Sequence, residues 1–172
     1  QRQMCIRDRR MADSARLHRD RPLLKLKLDR EHTLTRVRAV RDAAPDSTLI
    51  VDANEAWTRS DLDEWLDELA TLGVALVEQP LPAGEDAALR GLDSPVPIGA
   101  DESCHTAVDL DGLRDRYQMV NIKLDKTGGI TEALRLRRAA LDLGLQFMVG
   151  CMVGTSLSMA PALLVTPGAT FV

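Results

Sequence analysis

Six charged residues in this chain stand where charge is costly, at or beside the ends of short apolar runs. The runs are Leu23-Leu24-Lys25-Leu26-Lys27, Leu49-Ile50-Val51-Asp52, Val74-Ala75-Leu76-Val77-Glu78, Ile98-Gly99-Ala100-Asp101 and Met119-Val120-Asn121-Ile122-Lys123. Their terminal charges are 25, 26, 23 and 22 residues apart, the length of one strand, one helix and two loops. A buried strand tolerates a terminal charge only when that charge meets a partner, so the residues at these ends are the candidates for chemistry.

Asp52, Glu78 and Asp101 are the three carboxylates of the series. On adjacent parallel strands they would lie within one or two spacings of about 4.8 Å. Like charges that close raise one another's pKa unless a cation sits among them. An all-oxygen ligand set selects a hard cation, and Mg²⁺ is the natural choice. Lys25 and Lys27 are two apart on a strand and share a face, while Leu24, Leu26 and Leu28 take the other. Desolvation and the neighbouring charge would both lower the pKa of such a lysine, which suits it to act as a base. Lys123 faces inward with Asn121 and Asp125. In a closed barrel Lys27 and Lys123 would flank a metal-bound substrate carboxylate. One lysine could take its α-proton and the other return a proton to the opposite face, with the metal stabilising the enolate charge between the two steps. That sequence of events inverts a stereocentre.

The intervening segments read as the elements that position these ends. Glu31 to Ala44 carries Leu34, Val37, Val40 and Ala44 at helical spacing and stops at Pro45. Ser60 with Asp63 resembles a capping box, ahead of a stripe of Leu62, Trp65, Leu66, Leu69 and Leu72 that ends at Gly73. Thr106 caps a short helix with Val108, Leu110 and Leu113. Ile130 to Leu143 forms another, with Ala133, Leu134, Ala140 and Leu141 inward and Gly144 as its stop. A sixth strand spans Leu145 to Gly150, a helix Ser156 to Val165, and a seventh strand begins at Ala169. Repeated βα units with apolar strands imply a parallel sheet covered by helices. No Gly-rich phosphate turn follows the first strand, and charge at five strand ends suits a barrel, whose active site lies at the C-terminal ends of its strands. The fold class expected is α/β, a partial TIM-type (β/α) barrel.

Composition narrows the partners. The 172 residues are 45% hydrophobic and 28% charged, as in a globular chain. The net charge of −4 argues against nucleic-acid or anionic-membrane binding. Cys5, Cys104 and Cys151 are odd in number and irregularly spaced, so no disulfide framework is implied, and a reducing, cytoplasmic setting is expected. Residues 1–10 (QRQMCIRDRR) resemble translated sequencing-adapter sequence and are set aside. Residues 11–20 are an unassigned lead-in, and the barrel domain spans 21–172.

The strings KLKLD (25–29), VDANEAW (51–57), VEQPLP (77–82), GADESCHT (99–106), NIKLDKTGG (121–129) and VGCM (149–152) resemble the enolase superfamily, and within it dipeptide epimerases of the L-Ala-D/L-Glu type. Enolase-superfamily sites use a Lys or His base with Mg²⁺. The resemblance implies Asp52, Glu78 and Asp101 as Mg²⁺ ligands and Lys27 and Lys123 as the acid/base pair. Lys25 would contact the substrate carboxylate, and Cys151 would line the dipeptide pocket. Taken alone, Cys151 reads as a small buried hydrophobe. Asn54, Glu102 and Asn121 would orient the ligands. Cys104 and His105 read as loop packing.

Against the family pattern the chain reads as truncated at both ends, without the capping domain, the first barrel strand and the end of the last. The function implied is Mg²⁺-dependent epimerisation of small dipeptides such as L-Ala-L-Glu. N-acylamino acid racemase, o-succinylbenzoate synthase and muconate cycloisomerase use the same apparatus and are the alternatives. A reading of another class is an inactive fragment of a metal-binding barrel, prone to associate through unpaired sheet edges. The full-length protein could form a homo-oligomer.

Overall fold

The computed structural model describes the backbone of residues 2–172 and the side chains from Arg10 onward, so Cys5 lies outside the described side chains. A helix not anticipated from the sequence, α1 (Arg2–Leu17), precedes the first strand. Parallel βα units follow, as expected. They are β1 (Leu23–Lys27), α2 (Thr33–Ala43), β2 (Thr48–Asp52), α3 (Arg59–Thr71), β3 (Val74–Glu78), β4 (Ile98–Ala100), α4 (Leu110–Leu113), β5 (Met119–Ile122), α5 (Leu124–Thr127), α6 (Ile130–Asp142), β6 (Gln146–Val149) and α7 (Ser156–Met159). No helix among the described residues is long and apolar enough to cross a membrane.

The chain divides into two compact units, Gln1–Pro82 with Asp93–Pro97, and Ala83–Leu92 with Ile98–Val172. In the first, β1 pairs with β2 and β2 with β3, all parallel. β2 and β3 are apolar nearly throughout because both of their faces are covered. β1 alternates at its end, with Leu26 and Leu28 buried and Lys25 and Lys27 exposed, which matches the two-face division read from the sequence. Arg41 closes the far end of this unit. Its guanidinium donates to the carbonyls of Leu72, Gly73, Pro45 and Ser47 at 2.7–3.1 Å. In the second unit β4 pairs with β5 and β5 with β6, again parallel.

Several local expectations are corrected. The capping box of α3 is Thr58 with Asp61, two residues earlier than Ser60 with Asp63. Thr58 sits in extended backbone, so its hydroxyl can reach the Asp61 amide while Asp61 reaches back. On α6, Leu136 is buried while Leu134 and Leu141 are exposed. The helix expected over Ser156–Val165 is one α-turn, α7, followed by a 3₁₀ segment, Ala160–Leu164. Pro161 lacks the amide that an α-helix would need there. The seventh strand is reduced to a single parallel bridge between Phe171 and Met148. Thr106 does form a capping box with Asp109, although Val108 is exposed.

Asp61 also pairs with Arg30, Nε to Oδ2 at 2.8 Å. Burial would push its carboxyl up, but the hydrogen bonds from Thr58 and Arg30 and the Arg30 charge hold it below the usual carboxylate range. Its folded pKa is therefore below its unfolded value of about 3.9. The stabilisation is complete above that value and is lost as pH falls through the folded pKa. Asp61→Asn should lower unfolding free energy at pH 7 by about 1–2 kcal/mol in urea titration, the cost of a lost cap. The gap from wild type should narrow as the titration is repeated below about pH 4.

Candidate active site

In the first unit the register places Lys27 opposite Asp52 and Asp52 opposite Glu78, so three of the strand-end residues form one row across β1, β2 and β3. The two carboxylates are almost fully withdrawn from water, Asp52 at 1% and Glu78 at 0% exposure. Lys25 bridges them, with its Nζ 3.0 Å from Asp52 Oδ2 and 2.6 Å from Glu78 Oε2. Burial lowers the Lys25 pKa, but Glu78 and then Asp52 outweigh it, and the net shift is upward. The lowering anticipated for this lysine pair is thus reversed at Lys25, because two anions face it. Lys27 lies 2.9 Å from Asp52 Oδ2 and donates to Asn54 Oδ1 at 2.7 Å. Its side chain is the more open of the two, at 66% exposure against 33%.

The loop after β2 makes this arrangement. Asn54 has φ of +48°, a left-handed conformation that Asn tolerates better than most residues. Its amide donates to Asp52 Oδ1 at 2.9 Å, and this fixes the carboxylate from behind. The same loop is fastened to the segment after β3 by Ala53 N to Glu78 O, Glu55 N to Gln79 O and Trp57 N to Pro80 O, at 2.8–3.1 Å. Trp57 is buried and stacks edge-on against Trp65, centroids 5.2 Å apart. The VDANEAW string therefore encodes a loop whose backbone aims Asp52 and Asn54.

In the second unit Asp101 and Lys123 each follow immediately on a strand, β4 and β5. Asp101 is 3% exposed, and its Oδ2 accepts from Lys123 Nζ. A lysine that the sequence reading passed over, Lys126, lies 2.7 Å from Asp101 Oδ1. Burial alone would raise the Asp101 carboxyl, but the Lys126 charge and the hydrogen bonds from Lys123 and Lys126 hold it below the ordinary value. The signal for Lys126 was present in the spacing. Lys123 and Lys126 are three apart across a helix start, which places them on one side of a turn.

Asn121 is buried on β5, and Gly150 is the residue that gives it room. A Cβ at Gly150 would lie 2.7 Å from Asn121 Oδ1. The glycine of VGCM thus leaves room for the Asn121 side chain, which spacing could not reveal. Cys151 is exposed, not buried as a packing residue would be. Glu102 is half-buried beside Asp101, and His105 is exposed with its amide on Asp109 Oδ2. Burial pushes the Cys104 thiol up to about 12, which leaves it unreactive at neutral pH.

Among the described residues no three His, Cys, Asp or Glu side chains stand together as a metal cluster. The donor chemistry nevertheless fits a hard divalent cation. In the first unit Asp52 and Glu78 present buried anionic oxygens shared by one cation, the Lys25 ammonium; in the second unit Asp101 presents another buried carboxylate.

Residues 9–171 match the family described as enolase C-terminal domain-like. The chain belongs to this family. It is 54% identical over 151 residues to an N-acetyl-D-glutamate racemase of Pseudoalteromonas sp., covering 88% of this chain and 48% of the relative. It is also 54% identical over 149 residues to the L-Ala-D/L-Glu epimerase of Escherichia coli K12, covering 87% and 46%. A solved L-Ala-D/L-Glu epimerase structure superposes with a TM-score of 0.91 at 51% identity, covering 95% of this chain and 52% of that one. The dipeptide epimerase of Methylococcus capsulatus, solved with Mg and the dipeptide L-Arg-D-Lys, gives a TM-score of 0.88 at 31% identity, covering 95% and 50%. The partial (β/α)-barrel class expected from the sequence is borne out by these parallel units and superpositions. The chain spans about half the length of the curated relatives it matches.

Gly150→Ala should lower unfolding free energy by about 1–3 kcal/mol, as overpacking does, because the added Cβ meets the buried Asn121 side chain. Adding Asn121→Ala in the same chain should recover most of that loss in a double-mutant cycle by denaturant titration.

Proposed function

We propose that the protein carrying this chain is a Mg²⁺-dependent epimerase of small dipeptides such as L-Ala-L-Glu. The observation that carries the proposal is the row of Lys27, Asp52 and Glu78 across β1–β3, matched by the Asp101–Lys123 pair at the ends of β4 and β5. Buried carboxylates at strand ends cost stability unless a cation or several donors offset them, and a lysine ammonium meets each of these.

Asp52, Glu78 and Asp101 are the residues proposed to hold the metal. When bound, Mg²⁺ would offset the charge that builds on the substrate carboxylate as the α-proton leaves. Lys27 takes the α-proton of the C-terminal residue from one face of the substrate, and Lys123 supplies a proton to the other. In the reverse direction the roles exchange. Asn54 holds the Lys27 ammonium at a defined position, which a proton transfer requires. Lys25, kept charged by Glu78 and Asp52, supplies a fixed cation for the substrate carboxylate. Cys151, exposed after β6, is proposed to line the dipeptide pocket, and Asn54, Glu102 and Asn121 to orient the groups around them. The proposed setting is cytoplasmic.

The 54% identity to an N-acetyl-D-glutamate racemase favours a second reading, racemisation of N-acylamino acids by the same residues. The whole protein in deuterated water should wash deuterium into the α-position of the C-terminal residue of L-Ala-L-Glu, followed by NMR, more efficiently than into N-acetylglutamate. The reverse preference selects the second reading, and no exchange with either class sinks both. Lys27→Ala and Lys123→Ala should each lower exchange at least 100-fold, the scale of a lost acid/base group. Chelation should abolish exchange, and added Mg²⁺ should restore it.

A further inference from the structure

Lys123 and Lys126 grip the same carboxylate in different ways. Lys123 donates to Asp101 Oδ2. Lys126 lies 2.7 Å from Asp101 Oδ1, donates to the Asp101 carbonyl, and donates at 2.9 Å to the Cys104 carbonyl. An ammonium has three N–H donors; Lys126 places two hydrogen bonds on main-chain carbonyls of one turn, residues 101–104, and pairs with the Asp101 carboxylate of the same turn. The turn closes on itself through Cys104 N to Asp101 O at 3.1 Å, so the carbonyl that accepts from Lys126 also terminates the turn. The Lys126 side chain is 12% exposed. A largely enclosed lysine held by two carbonyls and a carboxylate is fixed in place and unsuited to reach a substrate.

We propose that Lys126 is the positioning residue of the second unit, clamping main chain and side chain of the 101–104 turn so that Asp101 is held for its metal and for Lys123. This deepens the function proposed above and rests on it for its catalytic consequence, whereas the clamp itself is testable without substrate. Lysine is suited to the task because its compact ammonium reaches both main-chain and side-chain oxygens of the turn from one point. The planar guanidinium of arginine directs its donors apart.

The test uses Lys126→Met and Lys126→Arg in the whole protein. Backbone amide hydrogen exchange, without metal or substrate, should speed up at least 10-fold at residues 101–104 in K126M and leave β1–β3 unchanged. Mg²⁺ affinity by calorimetry should fall 10- to 100-fold, the usual cost of removing a group that orients a ligand. In the deuterium-exchange assay kcat should fall while KM for the dipeptide stays within threefold, because Lys126 touches no substrate. K126R should lie between wild type and K126M on all three readouts. Should K126M speed exchange throughout the chain, K126R decides, and the same localised losses in smaller measure uphold the clamp. Wild-type amide exchange and Mg²⁺ affinity in K126M, or in K126R where that variant decides, overturn it. Wild-type protein inactive on every substrate, with local exchange still raised in the variants, sinks the functional reading and leaves the clamp standing.

Discussion

Asp52, Glu78 and Asp101 are withdrawn from water at the C-terminal ends of parallel strands, and an ionised carboxylate in that position is tolerable only beside a cation or several donors. Much of the local architecture around them answers that constraint. In the first unit two lysines come from the neighbouring strand, which the parallel register delivers to the right height. In the second unit two lysines come from the turn after β5. The lysines differ in freedom. Lys27 is 66% exposed, Lys25 33%, and Lys123 and Lys126 12% each.

Loops as well as charges bear the load. The Asp52 carboxylate is aimed by an amide from a residue at positive φ, and the loop around it is fastened to its neighbour by three backbone hydrogen bonds. Asn121 keeps its place because Gly150 has no side chain. These are constraints on shape, and they lie one layer behind the groups that carry charge. At the opposite end of the strands in the first unit Arg41 gathers five carbonyls into a structural clamp.

Strands and their terminal charges were legible in the sequence because the two signals are coincident. A doubly covered strand is a continuous apolar run, and a charge at its end breaks the run at a defined residue. β1 to β5 accordingly fall where the runs do. Helix faces were less legible. On α6, Leu134, Leu136 and Leu141 are equivalent by composition, and only the direction in which the helix packs decides that Leu136 is covered. The α3 capping box was displaced by two residues because Thr58 and Ser60 both precede a carboxylate by three, and the chain direction leaving Trp57 chooses between them. The region after β6 failed for a different reason. Helical periodicity there competes with Pro161, which removes a donor that the pattern cannot represent.

By itself the sequence determined the βα repeat, the family and the identity of the charged strand ends, since each depends on residue type and interval alone. Tertiary structure decided how those charges are partnered. Lys25 bridges two carboxylates and has its pKa raised, Lys126 pairs with Asp101, Cys151 is exposed, and Gly150 leaves room for Asn121. The physical reason is that burial and pairing act between residues that are about 3 Å apart in space and 22 or more apart in sequence, and no interval along the chain encodes which of several lysines a buried anion will meet.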